Sequence, residues 1–435
     1  MVIKMNEKID LSYCRPKKRE ELQKEYRGYF VEKDHLQILT FPEALVLPQR
    51  VYSNKLHGIG GVIDKNGDYV EASGLNDQFG GAYAIEGSVQ TIEKRICYCG
   101  YLINHWGHFL LDVVSRLWYA LGHDAEVDEY VFIVEDNSPR RPTGNYLEFF
   151  QLLGIENKIR IINTPTRFHE VIIPEIGFAK GRYYSNQYNA IFDKVAAMAI
   201  KNNVIEKNWP QKVYLSRNHF RGKKVECGLD FIDHFFSKNG FAIVYPEEIS
   251  LSEMILLLQN ADICAAESGT LPHNFLFAQK GKEVIIIERQ VTLNVYQCNV
   301  DVARELNATY VDANYEIYTT ESSYGPYLLG YTSCFRKFVE EKNLIPPDNH
   351  YISEKYTKKC LRQYLRRCDL EYGYARQHSP WQYYLRHSIF EAYEEALEKF
   401  RPYLLKQKPL FWYHNFQWRF MKRAISRTVK KISKK

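Results

Sequence analysis

Residues 261–289 read ADICAAESGTLPHNFLFAQKGKEVIIIER. A short apolar run, a turn of small residues, a helical stretch opened by Pro272, a glycine and a second β-branched run follow one another, which predicts strand, helix, strand. The same alternation extends outward in both directions. Upstream stand KVYLSR (212–217), LDFIDHFFSKNG (229–240), FAIVYP (241–246) and SLSEMILLLQNA (250–261); downstream stand LNVYQCNVDVARELN (293–307) and TYVDA (309–313). Short β-branched runs separated by helical segments mean βαβ units and a parallel, Rossmann-like sheet. Gly240 and Gly281 fit left-handed helix ends, and Ser250 or Ser252 with Glu253 fits a helix start.

The first half alternates less regularly. Strands are expected near 59–63, 69–72 and 90–98, then a helix over 105–121, the strand EYVFIVE, the helix NYLEFFQLLG, and the strands KIRIIN and FHEVIIP. This reads as a second α/β domain with a β-rich opening. An amphipathic run over 186–207, followed by NWPQ, places a boundary near 208. The expected organisation is an N-terminal α/β domain (1–207), a Rossmann-like domain (208–325) and a helical, Tyr-rich extension (326–435).

At 435 residues the chain exceeds one ordinary core. A content of 45% hydrophobic and 25% charged residues is that of a soluble globular protein, and the 33 Tyr and 24 Phe suit sugar-binding or membrane surfaces as well as cores. The nine cysteines show no CxxC pair and read as reduced thiols. With neither a secretory leader nor about 18 consecutive apolar residues, a cytoplasmic protein without a membrane span is expected. Of the 58 Lys and Arg, eleven lie in residues 401–435, which hold no Asp or Glu; the rest of the chain carries 47 basic against 52 acidic residues. An acidic body with a basic tail does not fit a nucleic-acid binder.

Ligands of open parallel sheets bind beyond the carboxyl ends of the strands, so tandem α/β domains place a site at strand ends in both halves. KVYLSRNHFRGKK sets Ser216 and Arg217 just past a strand with Arg221, Lys223 and Lys224 behind, either a diphosphate clamp or a solvated basic turn. After the next strand end come Glu267, Ser268, Gly269 and Thr270, with Asn274 in the helix beyond. Ser268 or Thr270 can cap that helix, leaving an anion site or an ordinary βα turn. Glu288 and Arg289 end another strand, to meet a ribose or base or to pair with each other.

INHWGHFLLDVVSRL (103–117) sets His105, His108 and Asp112 on one helical face. HxxH spacing fits a metal, a catalytic base oriented by a carboxylate, or a satisfied core network; a structural metal lacks a third ligand in any known pattern. Gly107 implies a helix start or a close backbone approach.

In order, NHWGHFLLDVVSRL, then VYLSR with a second Arg and Glu226 downstream, then GFAIVYPEEISLSEMILLLQNADI, then a small-residue turn into HNFLFAQKG, the sequence resembles glycosyltransferase family 61 over roughly residues 95–315. The resemblance implies a GT-B architecture, two Rossmann-like domains facing a cleft, with inverting, metal-independent sugar transfer from a nucleotide donor such as UDP and no cofactor. It assigns His105, His108 and Asp112 to catalysis, with His108 or Asp112 as base and His105 positioning. It assigns Ser216, Arg217, Arg221, Gly269, Thr270 and Asn274 to the donor side, where Glu267, Ser268 and Glu288 are added as neighbours. Glu267 stands where the family has histidine.

The tail LFWYHNFQWRFMKRAISRTVKKISKK (410–435) spaces Phe411, Trp418, Met421, Ile425, Val429 and Ile432 as one helical face, with Arg419, Lys422, Arg423, Arg427, Lys430 and Lys431 around the others. It reads as an interfacial helix for an anionic membrane, or as a terminal helix packing back on the first domain. The expectation is a peripheral enzyme on the inner face of the cell membrane, acting on lipid-linked or oligosaccharide acceptors in bacterial capsule or exopolysaccharide assembly. A pyruvyl or phosphoalditol transferase and a non-catalytic saccharide-binding relative are the alternatives.

Overall fold

A computed structural model of the chain describes residues 8–28, 30–51, 57–75, 78–85, 87–134, 141–203, 208–220, 226–290, 293–315, 327–353, 355–360 and 362–363. Arg221, Lys223 and Lys224, and every tail residue from Phe411 to Lys431 named above, including Trp418, lie outside them.

The chain divides into two compact units. The larger comprises residues 1–222, 229–313 and 331–347 and carries both main sheets. The smaller comprises 223–228, 314–330 and 348–435; its described part includes a parallel pairing of Glu226–Cys227 with Tyr327–Leu328 and helical residues at 355–360.

One main sheet is all parallel, as the alternation of β-branched and helical runs predicts. Its strand order is Ile9–Tyr13, Asn307–Asp312, Glu283–Glu288, Ile263–Glu267, Lys212–Leu215, Ala242–Val244. Five strands come from the stretch read first. The edge strand Ile9–Tyr13 comes from the start of the chain, and the helix Pro16–Tyr26 follows it. Chain order reverses between Lys212–Leu215 and Ile263–Glu267, so the carboxyl ends of those two strands form a switch point.

The other main sheet is mixed. Thr166–Pro174, Gln90–Tyr101, Glu129–Ile133 and Ile159–Ile162 run parallel, while Leu45–Arg50, Ile59–Ile63 and Ile38–Pro42 extend it antiparallel. Residues 69–72, expected as a strand, make one isolated bridge, Tyr69 to Ile63, before a 3-10 turn at Glu71–Ser73. The glycines that follow at 74, 80 and 81 favour turns over a ladder.

The two sheets share a core. Its middle is the helix Asn186–Asn202, whose buried Tyr188, Ile191, Phe192, Val195, Ala196 and Ala199 recur every three or four residues. Ser185 caps it, accepting from the Tyr188 N–H at 3.1 Å. Phe192 meets Phe149 from the mixed-sheet side and Phe277 from the parallel-sheet side, at ring separations of 6.2 and 5.3 Å. Glu148 adds a polar tie, accepting from the Leu251 and Ser252 amides, each at 2.9 Å, at the amino end of the helix Leu251–Asn260. Ser250 caps that same helix by accepting from Glu253 N at 3.1 Å.

Candidate functional site

The strand Gln90–Tyr101 ends against a helix that is shorter than expected. Trp106–Leu111 is α-helical, and Val113–Tyr119 continues as a 3-10 helix. The β-branched pair Val113–Val114 and Ser115 lie where the α-helix gives way, and Ser115 bonds outward, its hydroxyl donating to the Phe178 carbonyl at 3.3 Å. His105 is therefore not on the helical face but at its N-cap, where its Nδ1 accepts from the His108 N–H at 3.4 Å. His108 and Asp112 do share a face: His108 Nδ1 lies 2.6 Å from Asp112 Oδ2. The Asp112 side chain is 8% exposed and that of His108 is 28% exposed, so the carboxylate is sheltered and the imidazole reaches solvent.

Aromatic and imidazole rings surround this dyad. His57 lies edge-on to His108 at 5.5 Å and against Tyr101 at 5.2 Å. Burial, and then the neighbouring His108, lowers the His57 pKa. Tyr296 stands edge-on to His108 at 5.9 Å, and burial followed by the Asp112 charge pushes its hydroxyl up to about 12. Lys180, exposed, holds its ammonium 4.3 Å from the Tyr296 ring centre.

The second wall comes from the parallel sheet. Beyond Ile263–Glu267, Gly269 takes φ +124°, and a Cβ there would collide with the Arg289 guanidinium. Arg289, fully buried, donates from Nε to the Ser268 carbonyl and from its backbone N–H to Ser268 Oγ at 3.2 Å, so it braces the turn from behind. The segment Leu271–Phe277 is a 3-10 helix, and neither Ser268 nor Thr270 caps it with a side chain, contrary to expectation. Ser268 is engaged with Arg289 instead, and the whole segment is buried. Asn274 Oδ1 accepts from Trp106 Nε1 at 2.7 Å, and Asn274 Nδ2 donates to the Leu271 carbonyl at 2.9 Å.

Gly107 explains the closeness of these walls. An ideal Cβ there would sit 3.1 Å from His273 Cδ2 and 3.2 Å from Thr270 Cγ2 and Oγ1. Both readings of this glycine apply, since the helix starts one residue earlier. His105, His108, Asp112, Gly269, Thr270 and Asn274 thus gather at one seam between the carboxyl ends of the two sheets.

The other named residues flank it. Ser216, fully buried, donates to Asp233 Oδ1 at 2.6 Å, and Asn218 and Tyr245 bond Asp233 Oδ2 at 2.8 and 3.2 Å. Arg217 is 7% exposed with its guanidinium 5.0 Å from the Phe220 ring centre. Glu267 is buried at the end of its strand. Glu288 pairs with Lys18 at 2.8 Å rather than with Arg289. Among the described residues, no group of three or more His, Cys, Asp or Glu is disposed to hold a metal ion.

Sequence reasoning missed His57, Tyr296 and His273. The first two reach the seam by tertiary packing alone, but His273 stood beside Asn274 in a quoted motif and was visible there. Burial, offset by Gln297 and reinforced by His108 and His105, lowers the His273 pKa to about 4.

No curated protein matches the chain. Residues 106–285 match the model of the family described as Glycosyltransferase 61. The match opens on Trp106 at the start of the dyad helix and closes within Glu283–Glu288, so it takes in both walls of the seam. The chain carries a glycosyltransferase family 61 domain and is a glycosyltransferase.

Proposed function

We propose that the enzyme transfers a sugar from a nucleotide donor, UDP-linked, to a saccharide hydroxyl with inversion, with His108 as general base. The observation that carries this reading is the 2.6 Å contact between His108 and a sheltered Asp112 at the seam. A carboxylate on Nδ1 orients the imidazole and stabilises its cation, leaving Nε2 to take the acceptor proton. The freed oxygen forms its bond to the anomeric carbon as the bond from that carbon to the diphosphate oxygen breaks. His105 positions the acceptor from the helix start.

The donor belongs at the switch point of the parallel sheet, where Ser216 and Arg217 follow one strand and Glu267, Ser268, Gly269 and Thr270 follow the other. Arg217 and Arg221, with the Gly269 and Thr270 amides, meet the leaving diphosphate, and Asn274 anchors the turn. Glu288, committed to Lys18, supports this wall from behind. A GT-B arrangement with the boundary near 208 accommodates these roles, with no metal or cofactor required.

The biological setting belongs to the same proposal: capsule or exopolysaccharide assembly on lipid-linked acceptors, with the enzyme held to the inner leaflet by the basic tail. Among the described residues no helix is long and apolar enough to cross a membrane, and the tail's composition supports surface attachment. The test is UDP release from a panel of UDP-sugars with saccharide acceptors, followed by NMR of the product's anomeric configuration. Retention of configuration would overturn the mechanism. Unchanged binding to anionic vesicles after removal of residues 410–435 would overturn the attachment.

A further inference from the structure

A buried polar chain leads away from the seam. Asp301, fully buried on the helix Val295–Ala303, accepts from Tyr26 and Tyr310 hydroxyls, each at 2.6 Å, and from Gln297 Nε2 at 2.7 Å. A carboxylate fixes the Gln297 amide with its NH2 toward Asp301, which turns Oε1 toward His273 Nδ1, 3.0 Å away. An amide oxygen cannot donate, so Nδ1 carries the His273 proton and Nε2 carries a lone pair. The ring edge next to Nε2, at Cδ2, is the edge that abuts Gly107. Facing His273 are His105 and His108 from the dyad helix, Tyr296 at a ring separation of 6.3 Å, and Asp301 through Gln297.

The other two histidines are sorted by the same logic. His105 accepts at Nδ1 and so carries its proton on Nε2, while His108 donates from Nδ1 to Asp112.

We propose that His273 is a positioning residue of the transfer site, whose Nε2 accepts a hydrogen bond from a sugar hydroxyl at the seam while Gln297 and Asp301 hold its tautomer. Placing this hydroxyl on the substrate rests on the transfer reading above. A fixed acceptor in a buried wall favours substrates that bear a hydroxyl there over deoxy or O-methyl analogues, because an analogue leaves the lone pair unmet. His273 stays uncharged at neutral pH, so it adds acceptor capacity without opposing the cation formed on His108.

The experiment compares His273→Asn, His273→Gln and Gln297→Glu in the full chain, using UDP release from the UDP-sugar on which wild type is most active. Asn keeps a donor where Nδ1 stood and removes Nε2; Gln reaches the Nε2 position with an amide oxygen. The expected result is a fall in kcat/KM of roughly 10- to 100-fold for Asn, with most of it recovered by Gln. Gln297→Glu sets a carboxylate beside Nδ1, favours the imidazolium and moves the acidic limb of the pH–rate profile to higher pH. Wild-type kcat/KM in a folded His273→Asn protein, or a Gln variant no better than Asn, overturns the proposal. Should His273→Asn not fold, the folded His273→Gln protein decides, and a fall in kcat/KM of about 10-fold or more in it overturns the proposal. His108→Ala and Asp112→Asn run in the same assay separate the two readings: activity in those variants removes the base assignment and leaves the result at His273 standing.

Discussion

Trp106 Nε1 donates to Asn274 Oδ1 across 2.7 Å, joining the helix that follows one sheet to the turn that follows the other. Asn274→Ala removes this bond and the one to the Leu271 carbonyl, and leaves the indole N–H without its partner. The expected loss is about 1–3 kcal/mol of unfolding free energy, read by denaturant titration. Because the bond aligns both walls, kcat should fall further than the unfolded fraction explains. A variant that loses stability but keeps full kcat would show the bond to be a strut and nothing more.

In the proposed mechanism Asp112 orients and stabilises the base that His108 supplies. Asp112→Asn and His108→Ala are each expected to lower kcat by about 10²- to 10⁴-fold with little change in KM, measured by initial-rate kinetics on folded protein. Near-wild-type turnover in both would remove the dyad from the mechanism.

At Gly107 helix propensity and packing oppose one another. Alanine favours a helix by about 1 kcal/mol over glycine, yet its Cβ would lie 3.1 Å from His273 and 3.2 Å from Thr270. The dyad helix then shifts by a few tenths of an ångström, or His273 and Thr270 do. Gly107→Ala should keep or gain thermal stability while losing kcat, and Gly107→Val should lose both. An alanine variant with unchanged kcat would show that the seam tolerates the shift.

His273 makes stability depend on pH. Its folded pKa is about 4 against an ordinary 6.5, so the unfolded chain takes the proton first. Above about pH 6.5 neither state is charged; as pH falls toward 4 this group removes stability, up to about 3 kcal/mol. Denaturant unfolding at pH 7 and 4.5 should therefore show a smaller acid loss for His273→Gln than for wild type. Parallel losses in the two proteins would contradict this.

Lys18 and Glu288, with side chains 3% and 2% exposed, form a buried ion pair. Removing one partner leaves the other charge buried, at about 3–5 kcal/mol, whereas Lys18→Met with Glu288→Leu should recover much of that. If Glu288→Gln instead raised the donor KM at unchanged stability, Glu288 would belong to the donor pocket.

The parallel sheet was legible because its strands are short β-branched runs with turn residues at each end, so period and punctuation agree. The strand Ile9–Tyr13 was not, since its partner Asn307–Asp312 lies almost the whole sheet away in sequence. His108 and Asp112 were found by helical spacing, which is local. His105 was misplaced because an N-cap and a first helical residue look alike in sequence, and Leu271–Phe277 read as α-helix because Pro opens either kind. His57 and Tyr296 reach the dyad through packing that no local pattern encodes. Glu288 was legible as a strand-end carboxylate, but its buried lysine partner lies in a distant helix.

The edge strand Ile9–Tyr13 also sets a timetable. Its register partner, starting at Asn307, is made nearly 300 residues later, which at about 5–20 residues per second is some 15–60 s of synthesis. For that interval the parallel sheet cannot close, and the helix Pro16–Tyr26, which supplies the Tyr26 hydroxyl to Asp301, cannot dock. Assembly of the wall behind His273 therefore waits until Asn307–Asp312 has been made.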